Sequence, residues 1–112
     1  MRFPEEKKAL ATLLEEWYAG VKTFTEKCNA IFTEKAKQYD QESPVWHRIE
    51  WPHGFVGELR KKTDRVSQLL ANFDPKDPAG SVKWDEVNEE LADIHNYARM
   101  MGSLNNMVKD RK

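Results

Sequence analysis

The stretch "WDEVNEELADIHNYARMMGSLNNMV", Trp84 to Val108, decides the fold class. Trp84, Val87, Leu91, Ile94, Ala98, Met101, Leu104 and Val108 recur at steps of three and four, close to a heptad. Such a seam predicts a long helix packed in a bundle. Beside it, Glu86, Glu90, Asp93 and Tyr97 fall at steps of four, three and four, so they share one edge of that helix. Asn96 lies on the adjoining edge.

The preceding sequence repeats the helical pattern. Pro4 suits a first helical turn, and Leu10, Leu13, Leu14, Trp17 and Tyr18 follow, which gives an N-terminal helix over 4–19. Gly20 ends or bends it. A second apolar series, Val21, Phe24, Cys28, Ile31, Phe32 and Tyr39, either continues that helix or starts afresh at a cap near Thr23 or Thr25. "DQESPVWHRIEWPHG", Asp40 to Gly54, holds two Pro, two Trp and two His, a composition of an ordered loop and not of a flexible linker. Pro52 opens a helix carrying Phe55, Leu59, Val66, Leu69 and Leu70 on one side, up to about Phe73. "DPKDPAGS", Asp74 to Ser81, is a turn-rich connection. No strand is needed. The expectation is one all-α domain over 1–112, a bundle of about four main helices with an ordered Trp/Pro-rich loop and a basic tail over 108–112.

Composition narrows the function classes. With 112 residues, 39% hydrophobic and 33% charged, the chain is too apolar for disorder and too charged for a membrane protein. No apolar run approaches the roughly 18 residues that span a bilayer. "MRFPEEKKAL" mixes both charges at once and reads as no secretory signal. One cysteine, Cys28, excludes an internal disulfide and a cysteine-based zinc site; its apolar surroundings predict a buried small hydrophobe. A soluble, reducing, cytoplasmic compartment fits. The balance of 18 basic against 19 acidic residues argues against duplex nucleic acid as a partner. His47, His53 and His95 form no zinc motif. A short chain with broad apolar stripes predicts a homo-oligomer, dimer or tetramer.

The polar edges carry the candidate chemistry. Glu90 and Asp93, at i and i+3, aim two carboxylates at one point, which suits a hard cation completed by waters and phosphates. On the preceding helix Glu58, Lys62 and Arg65 share a side next to Leu59 and Val66. That side is either a solvated ion-pair edge, or a third carboxylate with two cations for phosphate oxygens. A short connection makes the two helices antiparallel neighbours, so the edges would face each other. Lys35, Tyr39 and Asp40, with Trp46, His47 and Arg48 after them, supply the cations and ring a nucleotide would need. Alternatively Trp46 and Trp51 plug the open end of the bundle.

These residues resemble a known family. The order Cys28, Phe32, Lys35, Tyr39, Asp40, Trp46, Arg48, then Glu58, Lys62, Arg65, then Glu90, Asp93, Asn96, Tyr97 looks like the nucleotide-modification-associated domain family of phage and bacterial genomes. The likeness covers roughly 22–101. More distantly it is similar to the all-α, MazG-like nucleoside triphosphate pyrophosphohydrolases. Those hold Mg2+ with an E-x-x-E step on one helix and an E-x-x-D step on the next. "EELAD" matches the second step, whereas Lys61 stands where the first would place its second Glu. Glu86 or Asp40 would have to replace that ligand.

The resemblance implies a Mg2+- or Mn2+-dependent protein acting on or binding a (d)NTP, in the host cytosol if phage-encoded. Glu58, Glu90, Asp93 and Glu86 would hold the metal. Glu58, Lys62 and Arg65 would serve hydrolysis of the α–β phosphate linkage. Lys35, Tyr39, Asp40, Trp46, Arg48, Asn96 and Tyr97 would bind the nucleotide. The Lys61 departure leaves a second reading, a non-catalytic factor that sequesters or senses a nucleotide. A third reading is a helical protein-interaction module.

Overall fold

The computed structural model describes residues 9–39 and 52–111. Among them the chain is all-helical, with three helices: α1 (Leu10–Tyr39), α2 (His53–Leu70) and α3 (Trp84–Lys109). The expected first two helices are one. Gly20 lies inside α1, where a Cβ would meet nothing within 4 Å, so no neighbour forces a bend. Thr23 and Thr25 do not cap. Their hydroxyls donate back to the carbonyls of Ala19 and Val21 at 2.9 Å, the bond a mid-helix Thr makes. The Trp/Pro-rich loop expected over 40–54 lies largely outside the described residues; His53 and Gly54 belong to α2.

Pro52 sits at the N-cap of α2 with φ −86°, consistent with its role as the residue that opens the helix. α3 begins with Asp85 and Glu86 in its first turn and ends with Lys109 in its last, charges that favour both ends of the helix dipole. The turn between α2 and α3 is built from local bonds. Asp74 N–H donates to Ser81 Oγ at 2.9 Å, Gly80 N–H to Asp77 Oδ1 at 3.2 Å, and Trp84 Nε1–H to Pro78 O at 2.9 Å. That turn folds Val82 inward, where it joins buried Leu69 and Val87, with Val66 and Phe73 packed against them.

Contacts fix the directions. Phe55 meets Tyr97, Lys62 meets Glu90 and Asp93, and Arg65 meets Glu86, so α2 and α3 run antiparallel as expected. Cys28 meets Asn96, Asn29 meets Arg99, and Lys35 meets Asp93, so α1 also runs antiparallel to α3. α3 is therefore the central helix, covered on two sides. This corrects the simple seam. The buried residues of α3 are Val87, Ala92, Asn96 and Leu104, while Leu91 and Ala98 are exposed. A helix with neighbours on two sides buries two lines, and the heptad line falls partly between them. Cys28 is buried, as expected.

Candidate functional site

The polar edges of α2 and α3 do face each other, and α1 adds a residue. Asp93 is the centre. Its Oδ1 accepts from Lys35 Nζ at 3.0 Å, and its Oδ2 lies 3.1 Å from Lys62 Nζ. Lys62 Nζ is also 3.4 Å from Glu90 Oε2, so two carboxylates from successive turns of α3 converge on one ammonium. One turn away, Arg65 Nη2 lies 3.7 Å from Glu86 Oε2. Both of these glutamate oxygens are shielded from water, and neither receives a well-formed hydrogen bond. Their contacts with Lys62 and Arg65 are ion pairs of poor hydrogen-bond geometry.

Electrostatics follow from that placement. Burial alone would raise the Asp93 carboxyl, but Lys35 and Lys62 outweigh it and hold the group below the usual range. Burial alone would lower Lys62, yet the facing carboxylates of Asp93 and Glu90 push it above an ordinary lysine. Burial raises the Tyr97 phenol, and the Glu58 charge adds to the effect. Tyr97 thus belongs to the cluster, with its ring against Phe55 at 5.9 Å, edge to face.

Other expected site residues take different positions. Glu58 pairs with Lys61 Nζ at 3.4 Å, an ordinary i, i+3 contact, while its charge still reaches Tyr97 of α3. Asn96 turns to α1. It is buried and donates from Nδ2 to Cys28 O at 3.1 Å, so its amide ties two helices together. The backbone of Tyr39 closes α1, and Asp40, Trp46 and Arg48 lie outside the described residues. Sequence reasoning passed over Arg99, which lies 5.0 Å over the Phe32 ring and donates to Asn29 Oδ1 at 2.7 Å. Its spacing of three from Asn96 and seven from Ala92 puts it on the α1-facing line, the signal that would have found it.

The donor set can be weighed against a cation. Among the described residues, no three or more His, Cys, Asp or Glu side chains gather as a metal-holding group. Glu90 and Asp93 do converge on a single positive centre, the Lys62 ammonium. Two carboxylates with waters and substrate phosphates are the usual Mg2+ environment in phosphate chemistry. Among the described residues the carboxylates therefore make no metal site held by protein alone. No family model matches the chain, and no curated protein or solved structure is detectably similar to it.

Proposed function

We propose that the cleft between α2 and α3, closed on one side by Lys35 of α1, binds the phosphates of a nucleoside triphosphate together with Mg2+ or Mn2+. The protein then acts as a pyrophosphohydrolase-like component of phage or bacterial nucleotide metabolism. The observation that carries this reading is the convergence of Glu90 and Asp93 on the Lys62 ammonium, with Lys35 on the far oxygen of Asp93. The reading also draws on the resemblance of the residue pattern to nucleotide-modification-associated and MazG-like proteins, which involves the same residues.

The ion pairs give the binding step its chemistry. Carboxylates that now face lysines would face a cation, and the released lysines would face phosphate oxygens, so no charge is left unpaired. Bound there, Mg2+ would neutralise phosphate charge and lower the pKa of a coordinated water. Lys62 and Arg65 would hold the departing pyrophosphate, Arg65 through its planar fork. Glu58 would orient or deprotonate the attacking water. Tyr97 and Phe55 give the floor of the cleft a rigid apolar backing. The same reading takes the chain as a cytoplasmic homo-oligomer.

A second reading keeps the ligand and drops the reaction. Lys61, 3.4 Å from Glu58, stands where a second carboxylate would extend the metal site, and its charge competes for Glu58. The protein would then hold a nucleotide without cleaving it.

A panel of NTPs and dNTPs with Mg2+ or Mn2+ separates the readings. Release of a nucleoside monophosphate and pyrophosphate, lost in Lys62→Met, supports hydrolysis. Thermal stabilisation by one nucleotide without turnover supports binding alone; a hundredfold excess over Kd adds about 2.7 kcal/mol. Absence of both turnover and stabilisation refutes the nucleotide reading.

A further inference from the structure

The Lys62 ammonium stands where a metal shared by Glu90 and Asp93 would have to stand. Its Nζ lies 3.1 Å from Asp93 Oδ2 and 3.4 Å from Glu90 Oε2, between carboxylates one turn apart on α3. Glu90 Oε2 is shielded from water and receives no well-formed hydrogen bond, so charge alone engages it. The three side chains are mostly covered, and little water screens them.

The charges described around this point already balance. Glu86, Glu90 and Asp93 face Arg65, Lys62 and Lys35, three carboxylates against three cations. A divalent ion entering alone would leave the cluster with a surplus of two positive charges. It would also have to shed bound water while meeting an ammonium at the same point. We propose that Lys62 is a built-in substitute for the metal. Its ammonium keeps free Mg2+ or Mn2+ out of the Glu90–Asp93 pair, and metal enters only with a polyphosphate whose oxygens take the ammonium.

This rests on the reading of the cleft as a metal and phosphate site, and it adds an order of events to that reading. Metal and phosphate arrive as one complex, never metal first. An anionic metal–triphosphate complex supplies a cation for the carboxylates and oxygens for Lys62 in one step. Without it, the ammonium ties α2 to α3 and the cluster needs no metal to hold its shape. Lys35 is the lesser guard. It is 47% exposed and holds only the other oxygen of Asp93, whereas Lys62 is 27% exposed and faces both carboxylates.

The test is Mn2+ binding to the full chain without nucleotide, read from the paramagnetic resonance signal of the free ion. Lys62→Met keeps the apolar stem and removes the charge, and should bind Mn2+ at least about tenfold more tightly than the wild type. The same variant is expected to lose turnover, so the two effects have opposite signs. Lys62→Arg keeps a cation and should bind Mn2+ no better than the wild type. Arg60→Met removes a positive charge from an exposed position of α2 two residues away, and should change the affinity by less than about threefold. Adding Glu90→Gln to Lys62→Met should abolish the gain. Mn2+ should also raise the melting temperature of Lys62→Met and leave that of the wild type unchanged, a readout that survives a less stable variant. Mn2+ binding by the wild type as tight as by Lys62→Met overturns the proposal. So does an equal gain in Arg60→Met or Lys62→Arg, or a gain that survives Glu90→Gln. The nucleotide panel separates the two claims. If Lys62→Met gains Mn2+ while no nucleotide is bound or cleaved, the nucleotide reading fails and the exclusion of free metal by Lys62 stands. If a nucleotide stabilises the wild type while Lys62→Met gains no Mn2+, the role of Lys62 fails alone.

Discussion

Replacing Asp93 by Asn tests the structural centre of the site, because this one carboxylate joins all three helices. Asn keeps the shape but presents one acceptor and one amide donor to two ammonium groups. The Lys62 contact is the more shielded, with side chains 27% and 19% exposed, and Lys35 is 47% exposed. Pairs of this intermediate burial lie between the 0–1 kcal/mol of surface bridges and the 3–5 kcal/mol of buried ones. We expect a loss of about 1.5 kcal/mol, most of it from Lys62 and the Lys35 share discounted for solvent screening. In urea at neutral pH the unfolding midpoint should fall by about 1 M, given a slope of about 1–2 kcal/mol/M. The loss should also depend on pH with a defined sign. The folded-state pKa of Asp93 is depressed, so its contribution is present above the unfolded value near 3.9. It disappears as pH falls through the lower folded value. The gap between wild type and variant must therefore close below about pH 4. On the alkaline side, Lys62 is raised, so its share persists through about pH 10 and is lost only above that. A gap below about 0.5 kcal/mol at pH 7, or one that stays constant into acid, would refute this account of the cluster.

Further outcomes follow from other residues. Phe55→Ala removes a fully buried ring from beneath Tyr97 and should cost about 3–5 kcal/mol in chemical denaturation, with the Tyr97 environment perturbed in fluorescence. Asn96→Asp sets a carboxylate against the Cys28 carbonyl in a buried site and should destabilise by about 2–4 kcal/mol at neutral pH, an effect relieved in acid. Trp84→Phe keeps the ring against Phe73 but loses the bond to Pro78 O, and should cost about 1 kcal/mol by thermal melt. Cys28 is fully buried and its thiol is raised by burial, so a thiol reagent should label it only as fast as α1 opens; fast second-order labelling of the folded protein would contradict the structure.

The helical class and the α2–α3 pairing were legible in sequence because both are local. The apolar periods of Phe55 to Leu69 and of the last helix, joined by a short turn, leave few arrangements open. The facing of Glu58–Arg65 and Glu86–Tyr97 followed from the same logic. Three things were not legible. Gly20 resembles a stop signal, yet a helix passes through glycine when nothing clashes and the flanking turns keep their bonds; sequence holds no term for that context. The burial of α3 was misjudged at Leu91, Ala98 and Asn96. The reading assumed one core stripe, whereas two neighbours pull the helix to a compromise orientation that buries an Asn and leaves a Leu in water. The pairing of lysines with carboxylates was equally hidden, since it depends on helix azimuth to within a few tens of degrees. Lys61, which stands where a second carboxylate was looked for, contacts Glu58 at 3.4 Å.

The central position of α3 has a consequence for how the molecule opens. α2, its turn and α3 form a hairpin with its own small core of Leu69, Val82 and Val87, closed by contacts near in sequence. α1 joins it through Cys28 and a few polar ties, from residues some sixty positions away in the chain. The hairpin is thus a cooperative unit that can form early, and α1 is an arm that engages late and leaves first. Amide exchange should divide along this line, slow across the α2–α3 contact and graded along α1, fastest towards Leu10. When the arm lifts, Asp93 loses Lys35 but keeps Lys62. The carboxylate pair on α3 stays in place while one side of it becomes accessible. Exchange of α1 and admission of the proposed nucleotide would then be a single event measured on two clocks.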